Sequence, residues 1–173
     1  YAETYMGLVE VGVGLVPAGG GCLRTVERFT DALAGIDGVD PLKFVGTGAL
    51  NIAMAKTGSG AEDTRRLRYL LPTDGITLNR DHLLYSAKKR ALGMAGAGYR
   101  PPRPRQFKAA GYDAAMTIGM QTWSMVEGGW ASEHDRLIGN KVAHILCGGS
   151  VSAGATLTEQ DYQYNMSFIG KVS

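Results

Sequence analysis

The chain has 173 residues, 45% of them hydrophobic and 20% charged, which is enough apolar material for a core; a net charge of +2 is too small to argue for a nucleic-acid partner. No apolar run approaches the roughly 20 residues that cross a bilayer, and the N-terminus has neither a basic nor a signal-like stretch. Two cysteines, Cys22 and Cys147, with no CxxC spacing give no disulfide framework and no zinc site, and read as reduced thiols of a cytoplasmic protein.

The sequence opens at Tyr1 directly in an apolar run with no initiator Met, so the polypeptide is expected to extend upstream. Residues 5–16 predict a short strand and then an irregular buried segment, with Glu10 the only charge and Gly12 and Gly14 alternating with Val11, Val13 and Leu15. Residues 17–21 form a turn. Leu23, Val26, Phe29, Ala32 and Leu33 recur at helical spacing, predicting a helix over 20–34. Asp40 and Pro41 are suited to start the next helix, which reaches Lys56. A short helix over 61–68 and an extended piece at Tyr69–Leu71 follow.

Asn79 or Asp81 starts a helix ending near Gly96, with Leu83, Leu84, Ala87, Ala91, Leu92 and Ala95 as its apolar face. Residues 99–105 hold three prolines and read as an extended connector. Beyond it come helices over 112–127 and 132–147, the second opened by a Ser132/Asp135 capping box, and a third from Thr158. The chain thus divides into residues 1–98, the connector 99–105 and a helical extension over 106–173.

Among the polar residues Glu10 stands out. A carboxylate inside so apolar a run is costly to bury without a partner, and it is either a proton-handling group or a strand-end Glu reaching water. Gly12-x-Gly14-x-x-Pro17 is not a dinucleotide fingerprint, because Pro replaces the third glycine. Glu133, His134 and Asp135 are adjacent and point in different directions, so no metal site is read there. His82 and His144 are isolated. Cys22 sits near a helix N-terminus, a place where a thiol's pKa can fall. Lys88, Lys89 and Arg90, with Arg100, Arg103 and Arg105, are either solvated charge or a grip on phosphate. Trp123, Met120, Met125 and Trp130 read as helix packing.

Residues 2–21 resemble the second active-site segment of the crotonase (enoyl-CoA hydratase/isomerase) superfamily, matching at Glu10, Gly14, Pro17, Gly20 and Gly21 and departing at Val9. Residues 51–56, 70–81, 98–104 and 132–149 are similar to bacterial fusion proteins of fatty-acid β-oxidation that carry 3-hydroxyacyl-CoA dehydrogenase before enoyl-CoA hydratase. The resemblance implies an α/β fold, the C-terminal part of a ClpP-like β-β-α spiral, mostly helical here. It implies an enoyl-CoA hydratase, a lyase that adds water to a 2-enoyl-CoA, present as an incomplete portion. Isomerase chemistry or a non-catalytic helical module are the alternatives.

In that reading Glu10 is catalytic, working with a second Glu upstream, and Ala18 and Gly19 lie beside the substrate or water. Lys88, Lys89 and Arg90 are candidates for the CoA phosphates. The implied ligand is a CoA thioester, with no cofactor in this segment and NAD possible in an upstream domain. The implied partners are a second copy or upstream polypeptide. Arg68 stands where related sequences carry Gly, and a repacked turn is expected there.

Overall fold

The structure, a computed structural model, describes residues 3–33, 36 and 38–169. Strand β1 (Met6–Gly7) pairs antiparallel with β2 (Thr57–Gly58), Met6 opposite Gly58 and Gly7 opposite Thr57. A 3-10 turn over Glu10–Val13 follows β1. Helix α1 (Gly21–Thr30) starts after Gly19 and Gly20, which take the left-handed conformation that costs glycine nothing. A 3-10 turn (Asp31–Leu33) extends it.

Helix α2 (Leu42–Ala53) opens where the Asp40 carboxylate accepts the Leu42 N–H at 2.9 Å, so Asp40 does the capping the sequence assigns to it. The short α3 (Ala61–Arg66) presses Thr64 against Gly58: a Cβ built there would lie 2.4 Å from Thr64 Oγ1 and 2.8 Å from its backbone, so only glycine fits. A 3-10 turn (Arg80–His82), capped by Asn79, leads into α4 (Leu83–Gly96). Strand β3 (Gln106–Lys108) pairs antiparallel with β4 (Thr156–Thr158). Between them α5 (Tyr112–Glu127) and α6 (Glu133–Leu146) form a helical hairpin, and α7 (Glu159–Ile169) follows β4.

One apolar cluster holds these elements. It joins Cys22, Leu23 and Val26 of α1, Val45, Ala49 and Ile52 of α2, Ala114 and Ile118 of α5, Ile138, Val142 and Ile145 of α6, and Tyr162 of α7. Each fully buried Leu, Ile or Val side chain among them contributes about 1.5–3 kcal/mol. The cluster draws on residues from both sides of the proline-rich connector. Arg105, at the end of that connector, bridges Asp31 (2.7 Å) and Glu27 (3.4 Å) and fastens the second half of the chain to α1.

The fold is mostly helical with small strands. The described residues contain two two-stranded ladders and no β-β-α spiral. Two further expectations are corrected. Tyr69–Leu71 is a bend and not an extended piece, because Arg68 before it takes a left-handed φ of +62°. The helix predicted to Lys56 stops at Ala53, with Ala55 also left-handed at +46°. The apolar side of α4 faces solvent: no residue of that helix is buried.

Candidate functional site

Glu10 lies at the first position of the 3-10 turn Glu10–Val13. The turn closes on Gly14, whose φ of +76° only glycine takes at low cost, and Leu15 N–H donates back to the Glu10 carbonyl at 3.0 Å. His134 of α6 reaches across and donates Nε2–H to the Gly14 carbonyl at 3.0 Å, which ties the turn to the helical hairpin.

The residue is partly buried, and its Oε2 is fully buried with no hydrogen-bond partner. Its electrostatic neighbours are the Cys22 thiol and the Tyr69 phenol. Burial pushes the Cys22 thiol up to about 12, and the Glu10 charge adds to this. Tyr69 is raised as well, first by burial; its hydroxyl donates to the Lys56 carbonyl at 3.1 Å. The thiol expected to be activated at a helix N-terminus is therefore held protonated, since burial outweighs the helix dipole. It donates to the Pro17 carbonyl at 3.6 Å.

Next to Glu10 in sequence, Val11 and Gly12 form part of the wall of a cavity of about 370 Å³ between α2, α5 and α6. Ala49, Ala53 and Gly139 make the space by being small. Met54, Ile118, Met125, Trp130 and Val142 give it an apolar surface. Several polar groups on the wall are engaged elsewhere: Thr122 donates to Gly119 O, Arg136 pairs with Glu133, and Asp135 caps α6. A largely apolar cavity of this size suits a small hydrophobic ligand or a hydrocarbon chain.

Ala18 and Gly19 are exposed in the turn before α1, where the Ala18 carbonyl accepts Gly21 N–H at 3.2 Å. Lys88, Lys89 and Arg90 stand on exposed α4 and line neither described cavity. Arg90 donates to the Thr73 carbonyl at 2.7 Å, and Lys89 lies 5.6 Å from the Tyr85 ring. Glu133, His134 and Asp135 do separate jobs: an ion pair with Arg136, the bond to Gly14, and the capping box with Ser132.

The sequence singled out Glu10 but missed Cys22 and Tyr69 as its neighbours and Ala49, Ala53 and Gly139 as cavity makers. Tertiary contacts between small or distant residues leave no spacing to read. The dinucleotide reading fails on structure too: β1 pairs antiparallel with β2, so no βαβ unit surrounds the glycines, and Pro17 stands where helix and strand would have to touch. The segment from Gly12 to Pro17 is therefore not a dinucleotide-binding turn.

No family model matches the chain, and no solved structure does. It is 39% identical over 165 residues to the "Probable 3-hydroxyacyl-CoA dehydrogenase" of Bacillus subtilis (strain 168). That match covers 94% of this chain and 20% of the relative, so the chain spans about a fifth of the length of the curated relative it matches. The finding overturns the identification as a crotonase-type enoyl-CoA hydratase, a lyase: the similar protein is named for a dehydrogenase, an oxidoreductase.

Proposed function

We propose that this chain is a segment of an acyl-CoA oxidoreductase that acts on 3-hydroxyacyl thioesters. In this reading the α2–α5–α6 cavity holds the hydrocarbon chain of the substrate, and Glu10 handles a proton beside it. The observation that carries the proposal is the 39% identity sustained over 94% of the chain to a protein named for that activity. The apolar lining of the cavity and the unpartnered Glu10 oxygen beside its wall support it.

Oxidation of a 3-hydroxyl removes a proton from oxygen and a hydride from carbon. The residues described here are suited to gripping an apolar chain and to accepting a proton. No step through the hydride acceptor is assigned to them.

The test is the oxidation rate of the whole polypeptide that carries this segment on 3-hydroxyacyl-CoA substrates of increasing length, with Ala53→Leu as the probe. Ala53 lines the cavity and is exposed, so the added bulk enters space and not core. The variant is expected to lose at least tenfold in kcat/KM on long-chain substrates and little on short ones, since each excluded methylene is worth about 0.8 kcal/mol. An equal loss at every length sinks the cavity assignment. Absence of any 3-hydroxyacyl-CoA oxidation by the unaltered whole polypeptide sinks the reading.

A further inference from the structure

The Glu10 Oε2 is buried without a hydrogen-bond partner, so its position is set by the backbone that carries it. That backbone closes on itself. Gly12 N–H donates to the Val9 carbonyl at 2.9 Å, Gly14 N–H to Val11 at 3.0 Å and Leu15 N–H to Glu10 at 3.0 Å. These bonds fix the shape of the turn and leave open where it sits on the rest of the fold. Val11 packs against the core, but apolar contact is non-directional and tolerates sliding. A hydrogen bond, with its narrow range of length and angle, does not.

The directional contact comes from His134, 120 residues further along the chain. Its Nε2–H reaches the Gly14 carbonyl at the end of the turn. The approach is close: a Cβ on Gly14 would lie 2.8 Å from Nε2 and 3.1 Å from Cδ2. The platform behind the imidazole is stiff. Ser132 and Asp135 form the capping box at the start of α6, Glu133 pairs with Arg136 on the same turn, and Ile138 and Val142 seat the helix in the core. This first turn of α6 gives Asp135 and Arg136 to the cavity wall, and the Glu10 turn gives Val11 and Gly12. The bond from His134 to Gly14 therefore joins two separate parts of one wall.

We propose that His134 is a positioning residue: its bond to the Gly14 carbonyl locks the Glu10 turn onto α6 and so fixes the Glu10 carboxyl beside the cavity. The imidazole does no chemistry of its own and acts through the turn. The proposal rests on the proton-handling role given to Glu10 above and names what holds that group in place. A shift of about 1 Å in a reacting group can cost roughly 100-fold in rate, so one bond at the end of a seven-residue loop between Leu8 and Gly14 has a kinetic effect out of proportion to its strength.

The test uses the whole polypeptide that carries this segment, with His134→Ala and His134→Gln, each made with Glu10 intact and with Glu10→Gln. Gln keeps an N–H donor within reach of the Gly14 carbonyl, and Ala keeps none. His134 is exposed, so both forms should retain the native circular dichroism spectrum. His134→Ala is expected to lower kcat on a 3-hydroxyacyl-CoA by about tenfold or more with KM changed by less than about twofold, because a displaced proton-handling group slows the step without loosening the apolar grip. His134→Gln should recover most of the loss. In the Glu10→Gln background His134→Ala should cost nothing further, since no carboxylate is left to place. A second readout needs no turnover: carbodiimide coupling of glycine ethyl ester to carboxyl groups, followed by peptide mass mapping. Glu10 should label faster in His134→Ala and at its original rate in His134→Gln, with carboxyls remote from the turn unchanged. An equal kcat loss in both backgrounds overturns the proposal, and so does an Ala form no worse than the Gln form, or Glu10 labelling that does not move. If the unaltered polypeptide oxidises no 3-hydroxyacyl-CoA while the labelling follows this pattern, the acyl-CoA reading falls and the positioning role stands.

Discussion

Replacing Glu10 by Gln distinguishes a carboxylate kept for chemistry from one kept for the fold. The buried Oε2 has no hydrogen-bond partner, and the nearest ionisable groups, the Cys22 thiol and Tyr69 phenol, offer no positive charge. A buried polar atom left unsatisfied costs about 1–3 kcal/mol, more for a charged group. Gln keeps the shape and drops the charge, and should recover about 1 kcal/mol of that cost. For a chain of this size 1 kcal/mol moves Tm by about 2–4 °C.

Scanning calorimetry of the variant is therefore expected to show a Tm higher by that amount. Turnover on a 3-hydroxyacyl-CoA should fall about 100-fold or more, the usual contribution of a positioned proton-transfer group. The Cys22 thiol should also titrate lower, since the Glu10 charge adds to the burial that raises it. A Tm that drops while turnover survives refutes the reasoning: the carboxylate would then be a structural group whose partner lies in solvent or in another chain.

Two further predictions concern the fold. Cys22 and Cys147 both have thiols raised from 9.0 to about 12 by burial, so above pH 9 the unfolded chain releases protons that the folded chain retains. Their contribution is fully present below pH 9 and lost as pH rises towards 12, at about 1.4 kcal/mol per unit for each thiol. Urea titrations between pH 9 and 11 should show Cys22→Ala losing stability less steeply than the unaltered chain by that amount; an unchanged slope would refute the assignment. At position 68, the left-handed φ of +62° costs a non-glycine residue about 1–2 kcal/mol, offset in part by the guanidinium 6.0 Å from the centre of the Phe29 ring. Arg68→Gly should match or exceed the stability of the unaltered chain, and Arg68→Ala should fall about 1 kcal/mol below Arg68→Gly; the reverse order in urea unfolding would contradict the strain.

What was legible in the sequence depended on how local the cause was. The helix over 112–127 was readable because its ends are set by neighbouring glycines: Gly111 at φ +86° before it, and Gly128 and Gly129 after it. The α6 start was readable for the same reason, and Ser132 and Asp135 form the capping box that their spacing predicts. Where the cause lay elsewhere in the chain, the reading failed. Tyr69 looked like strand because the leucines after it are apolar, yet Arg68 turns the backbone left-handed, and the Arg28 guanidinium and Lys56 carbonyl then hold Tyr69 in a bend. Glu10 was conspicuous as the lone charge in an apolar run; its neighbours could be found only once α1 and the residue 69 bend were folded against it.

Helix α4 shows where periodicity stops being informative. Its apolar spacing is sound and the helix is present, yet none of its residues is buried among the described residues. Periodicity reports that a face must be covered and says nothing about what covers it. The same ambiguity runs through α5, whose Met120 and Trp123 read as packing residues and stand in solvent. In both helices the spacing is right and these apolar positions stay unburied, because spacing belongs to the helix itself while burial belongs to whatever packs against it.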